Sequence, residues 1–257
     1  MPIIHIIKRD TAQTLTPNDD QRITLYIIVG YAIGILILWN VPIIKTILYP
    51  FKLLTVGLHE FSHALAGCCT CAHIESIEID PDEGGVTRMR GGIPCCTLPA
   101  GYLGSSLLGA LMIFCGFNIL ASRIMSIFLG VCLLITLYWA KNMLTRGIGL
   151  LFIVIIGFLW WFQKGVGLKY FVLFMGVMSC LYSLYDIIDD LVRRKVNESD
   201  ATRFAKLSGG CIPSQVWGFI WFLISLAFLA CGIVAGIAAF KEDMNTQMQQ
   251  SVNTFHT

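Results

Sequence analysis

The sequence predicts an all-α polytopic membrane protein of about seven transmembrane helices, with a small β-hairpin inserted after the second. Three observations predict it. Of 257 residues, 56% are hydrophobic and only 13% charged, whereas an ordinary soluble domain carries about 25% charged. A chain of this size has too much surface to cover with so few charges unless lipid covers the rest. Seven long apolar runs recur, and one stretch between 72 and 92 alternates instead. The formal net charge of +2 is too small for a nucleic-acid partner, and the mean hydropathy of +0.74 agrees with a bilayer.

Residues 1–22 mix Lys8, Arg9 and Arg22 with Asp10, Asp19 and Asp20, and read as a polar cytoplasmic tail. From Ile23 to Trp39 no charge occurs, and at about 1.5 Å per residue this run nearly crosses a hydrocarbon core of about 30 Å. No small-residue cleavage site follows it, so it reads as a retained anchor. Asn40-Val41-Pro42 breaks the chain before a second run, about 43–66, which ends at Gly67 as a helix C-terminus does.

Between 72 and 92, Ile74, Ile77 and Ile79 precede Asp-Glu-Gly-Gly and then Val86 to Arg90, the pattern of two short strands around a turn. Further apolar runs follow at about 97–120, 124–140, 147–163, 168–188 and 215–240. The transmembrane domain therefore covers 23–240, with a polar tail at 241–257. The densest basic loop, 190–214, holds Arg193, Arg194, Lys195, Arg203 and Lys206 and is placed in the cytoplasm by the positive-inside tendency. Counting spans back from it puts the N-terminus and the hairpin on the cytoplasmic side and the C-terminal tail on the other. The sequon Asn197-Glu198-Ser199 is then unmodified.

The chemistry sits at His59-Glu60-Phe61-Ser62-His63. On a helix, residues i and i+4 share a face, so both imidazoles reach one zinc ion while Glu60 handles the proton of its water. Composition alone gives about 0.002 accidental matches to this pattern in the chain. Its setting strengthens it, because an ionisable residue within a span costs on the order of 2.5–3.5 kcal/mol and persists mainly where it has a partner or a task.

A catalytic zinc needs a third protein ligand. The expected one is Asp186, inside the sixth apolar run, with Asp189 and Asp190 on the same helix face. Depth supports the pairing: His59 lies about 12 Å above Gly67, and Asp186 about 10 Å above Arg193. Asp189 is the second candidate, and His73 and the Asp80-Pro81-Asp82-Glu83-Gly84 segment are lesser ones.

HEFSHALAG in an apolar helix, a β-rich insertion, LPAGYLGSSLLGA and a distal span with YDIIDD together resemble the site-2 protease family of intramembrane zinc metalloproteases, and more narrowly its B-like branch. The resemblance covers roughly 50–215. It implies that His59 and His63 bind one catalytic Zn²⁺, that Glu60 activates its water, and that an aspartate of the sixth span completes the site. In the better-known members that aspartate precedes a glycine, whereas Asp186 precedes Ile187. The implied activity is endopeptidase cleavage of membrane-embedded protein segments. The alternative is a catalytically inactive homologue, or a membrane scaffold, that binds partner transmembrane segments.

Gly101, Ser105 and Gly109 form a small-residue ridge, read as helix packing or as a lining of the cleft. Gly232 and Gly236 form another, for packing or homo-oligomer contact. Cys68, Cys69 and Cys71 with Cys95 and Cys96 bracket the hairpin at a face where disulfides are disfavoured. Reduced thiols, palmitoylation and a structural metal all remain open for them.

Overall fold

The computed structural model describes residues 14–41, 45–80, 84–193 and 199–255, without the side chains of 163–164 and 189–193. Elements run α1 (Asp19–Asn40), α2 (Lys45–Cys69), β1 (His73–Asp80), β2 (Gly84–Arg90), α3 (Pro94–Cys115), α4 (Ile119–Trp139), α5 (Met143–Trp161), a 3₁₀ turn (Phe162–Gly165), α6 (Val166–Arg193), α7 (Asp200–Leu207), α8 (Ser214–Ala239) and α9 (Met244–Phe255). Six of these helices, α1, α3, α4, α5, α6 and α8, are long and apolar enough to cross a membrane. The seventh expected span, α2, is long enough at 25 residues, but it carries Lys45, Lys52 and the His-Glu-Phe-Ser-His segment. Its buried residues run without a break from Leu53 to Ala64.

Local chemistry sets the helix starts. Asn18 and Gln21 form a reciprocal capping box at α1, and the Asn118 and Asn142 side chains accept from Ala121 N and Thr145 N to open α4 and α5. Pro94 enters α3 at its first turn, where its missing N–H has no helical partner to lose.

In lipid, burying apolar surface between helices gains little, so close approach and interhelical hydrogen bonds decide the packing. α6 and α3 meet where a Cβ on Gly176 would lie 2.8 Å from the Gly109 carbonyl oxygen and one on Gly109 would lie 3.0 Å from that of Gly176. Ser105 and Ser183 share a 2.9 Å hydrogen bond, Ser179 donates to the Ser105 carbonyl at 2.9 Å, and Ser106 donates to Ser225 of α8 at 2.7 Å. Gly232 lets α8 approach the Ala110 backbone. The outer faces remain apolar and exposed, as at Val154 and Leu134, and Tyr138 and Trp161 stand at helix ends as interfacial aromatics do.

The hairpin forms as expected, antiparallel with Ile77 opposite Thr87 and a bulge that leaves Glu75 unpaired. β1 ties it to the bundle: Ile77 bridges Ala140, Ile79 N–H donates to Thr145 Oγ1 and Asn142 Nδ2 donates to the Ile79 carbonyl.

The expected count of about seven exceeds the six apolar helices by α2 alone. α1 and α6 run parallel, since Tyr31 packs on Phe174 and Trp39 on Tyr185. At the far end Asn18 Nδ2 donates to the Lys241 carbonyl at 3.0 Å, and Met244 N donates to Asp20 Oδ2 at 2.7 Å. The start of α1 and the end of α8 therefore share one end of the bundle, and the hairpin and α7 occupy the other. The expected arrangement, with the tails on opposite sides and the N-terminus beside the basic loop, is not the one observed. The physical reason is that α2 stays on the site side between α1 and α3 rather than carrying the chain back across. Two polar stretches read as loop and tail also contain helices, α7 within 190–214 and α9 within 241–257.

Candidate active site

α2 presents His59 and His63 one turn apart with Glu60 beside them, all buried, with one donor atom from each within 4.8 Å of the others. The His63 Nδ1–H donates to the Thr97 carbonyl at 2.7 Å, because a carbonyl oxygen only accepts. That donation leaves Nε2 facing the centre, where it can ligate a metal once it has lost its proton. His59 packs edge-on against Tyr102, with ring centroids 4.8 Å apart. The two Nε2 atoms lie 3.1 Å apart.

The carboxylate that meets them belongs to Asp200. Its Oδ2 lies 3.0 Å from His63 Nε2 and 3.3 Å from His59 Nε2. Burial alone would raise the Asp200 carboxyl; the charge of His63 and hydrogen bonds from both imidazoles outweigh it and hold the group below the usual carboxylate range. Asp200 is the first residue of α7, with Ser199 as N-cap accepting from Thr202 N. α7 is held in turn by Phe204, whose ring packs on Trp217 and Trp221 of α8, and by buried Ala201 and Ala205.

The expected third ligand, Asp186, lines the wall of the same cavity, as the depth argument placed it. The side chains of Asp189 and Asp190 lie outside the described residues, as do Asn197 and Pro81 to Glu83. His73 is exposed at the start of β1, opposite Arg90. Nothing in a single sequence singles out Asp200; the only signal is the Ser199-Asp200 helix start in a segment otherwise read as loop.

Three further residues shape the centre. Thr87 Oγ1 on β2 bonds Glu60 twice, to Oε2 at 2.7 Å and to the backbone carbonyl at 2.9 Å. A Cβ on Gly85 would lie 2.5 Å from Glu60 Cγ, so glycine there leaves room for the carboxylate. A Cβ on Gly101 of α3 would collide with both Nε2 atoms. Of the α3 ridge, Gly101 thus abuts the imidazoles while Ser105 and Gly109 pack helices.

The donor set fits a zinc ion. For bonds of about 2.0–2.1 Å, a tetrahedral site has donor-to-donor edges of about 3.3 Å. The three separations here, 3.0, 3.1 and 3.3 Å, are close to that edge. The side of the imidazoles that a Gly101 Cβ would occupy stays clear, and Glu60 stands adjacent without belonging to the triangle. The centre opens into a polar cavity of about 1080 Å³ walled by β2, α3, α6 and α7.

A family model described as Peptidase M50B-like matches residues 28–232. No curated protein and no solved structure matches the chain.

Proposed function

The chain belongs to the Peptidase M50B-like family, of the site-2 protease kind, and from that membership we propose that it is a zinc-dependent endopeptidase cutting membrane-embedded protein segments. The observation that carries this reading is the convergence of His59 Nε2, His63 Nε2 and Asp200 Oδ2 beside Glu60 in a polar cavity. These three residues would hold the ion. A zinc ion held there would supply Lewis-acid chemistry, polarising a carbonyl and bringing the pKa of a water towards about 7.

Glu60 takes the proton from the attacking water and returns it to the leaving amine. Thr87 holds one Glu60 oxygen, Oε2, leaving Oε1 for that proton. Thr97 and Tyr102 keep the imidazoles oriented, so the donors do not reorganise during the reaction. Water enters through the polar cavity, since hydrocarbon supplies none. A substrate helix must unwind before its carbonyl is exposed. β2, which among the described residues pairs only with β1, lines the cavity and offers its other edge to the extended segment.

In the proposed orientation the basic end, with α7 and the hairpin, faces the cytoplasm, which places the start of α1 and the end of α8 on the opposite side. The test of function is cleavage of single-span model substrates carrying helix-breaking residues, by purified protein in liposomes. Wild type should cut, and Glu60→Gln or a zinc chelator should abolish cutting. Zinc-loaded wild type that binds these segments without cutting any would instead be the inactive homologue.

A further inference from the structure

Five thiols collect at the hairpin end of the bundle. Cys68 and Cys69 are the last residues of α2, Cys71 follows in the turn with φ of 61°, and Cys95 and Cys96 lie in the first turn of α3. The two segments are fastened together: Ile93 N–H donates to Thr70 Oγ1 at 3.2 Å, and a Cβ on Gly92 would lie 3.0 Å from the Ala72 methyl. All five cysteines are exposed and free. Of the other five, Cys115, Cys132 and Cys180 are wholly or partly buried in the bundle, Cys231 faces outward from within α8, and Cys211 is exposed in the loop between α7 and α8, apart from these two segments in the chain.

A metal centre does not account for this patch. Among the described residues, the histidine and acidic group on α2 is the cluster whose donor atoms converge, and no set of these thiols does so. A disulfide framework does not account for it either, since every thiol is unpaired. What the position offers is a nucleophilic sulfur at the end of α2 and the start of the apolar helix α3, beside exposed Leu65 and Ile93. A chain attached there can turn directly into lipid.

We propose that this patch is S-acylated by a long-chain acyl-coenzyme A through a membrane acyltransferase. A cysteine sulfur attacks the acyl thioester carbonyl, the new thioester forms, and coenzyme A leaves carrying the thiol proton, with no change of oxidation state. The acyl donor must lie on the hairpin side, so the proposal rests on the orientation given above and not on protease activity. The attached chains hold the ends of α2 and α3 at the bilayer surface. Those helices carry His59 and His63, and Thr97 and Gly101, so the anchor fixes the cavity mouth at the depth where a substrate segment arrives.

The test is metabolic labelling of cells expressing the full chain with an alkynyl palmitate analogue, followed by purification, fluorophore coupling and hydroxylamine treatment. Wild type is expected to carry hydroxylamine-sensitive label. The label should be lost when all five cysteines are changed to serine, and unchanged in Cys231→Ser and in Glu60→Gln. Should the fivefold variant not accumulate, the Cys68→Ser/Cys69→Ser and Cys95→Ser/Cys96→Ser pairs should each lower the label. Unlabelled wild type, or label that survives in these variants, overturns the proposal, and because Glu60→Gln is labelled equally the outcome is separate from that of the cleavage assay.

Discussion

Asp200 Oδ2 lies 3.0 Å from His63 Nε2 although four long helices separate the two residues in the chain. One partner sits in the middle of the fold on a buried helix, and the other at the start of an eight-residue helix outside the spans. The centre is therefore assembled by the docking of α7, and that docking rests on aromatic packing with α8.

Loosening that packing should weaken metal binding without touching a ligand. Phe204→Ala removes the ring that meets Trp217 and Trp221. Supports behind metal ligands are typically worth about 10–100-fold in affinity. Competition with a chromogenic zinc chelator should show a loss of that size, with Phe204→Leu between the variant and wild type.

Thr87 is a positioning residue acting through Glu60. A hydrogen bond to a charged group is worth about 1.5–3 kcal/mol, or roughly 10–100-fold in rate. Thr87→Val should lower kcat by that amount with KM and zinc content little changed, and Thr87→Ser should restore most of it. Steady-state kinetics on any cleaved model substrate reads this out.

Three glycines differ in what a side chain would meet. Gly101→Ala drives a methyl into both imidazoles and should abolish zinc binding. Gly176→Ala pushes α6 off the α3 backbone and should cost about 1–3 kcal/mol, as overpacking does. Gly130→Ala on α4 meets nothing within 4 Å and should be neutral or stabilising by about 0.5–1 kcal/mol. Thermal unfolding in detergent, with zinc content measured in parallel, separates the three.

The two termini should report the same compartment. The Asn18–Lys241 and Asp20–Met244 contacts require it. Glycosylation sequons added before residue 14 and after residue 255 should both be modified, and one placed between Arg203 and Pro213 should not. Modification of only one terminus would contradict the observed bundle.

The apolar runs, the hairpin and the His59-Glu60-His63 centre were legible because each is a local pattern: run length, alternation, and i to i+4 spacing on a helix. What was not legible was non-local. α2 reads as a seventh crossing by length, while Lys45, Lys52 and its His-Glu-Phe-Ser-His segment leave six helices apolar enough to cross a membrane among the described residues. Asp186 stood out because a carboxylate inside an apolar run is conspicuous, and it lines the cavity. Asp200 was overlooked because an aspartate in a polar segment is ordinary until Phe204 folds its helix onto α8. Thr87, likewise, has no signature apart from the strand that carries it past Glu60.

If α2 and α7 together complete one zinc site, its occupancy follows the two histidines and Asp200. Zinc content of purified protein should be about one ion per chain in wild type, in Glu60→Gln and in Asp186→Ala, and should fall to near zero in His59→Ala and Asp200→Ala. A folded Asp200→Ala variant that keeps its zinc, or a folded Asp186→Ala variant that loses it, would contradict the account.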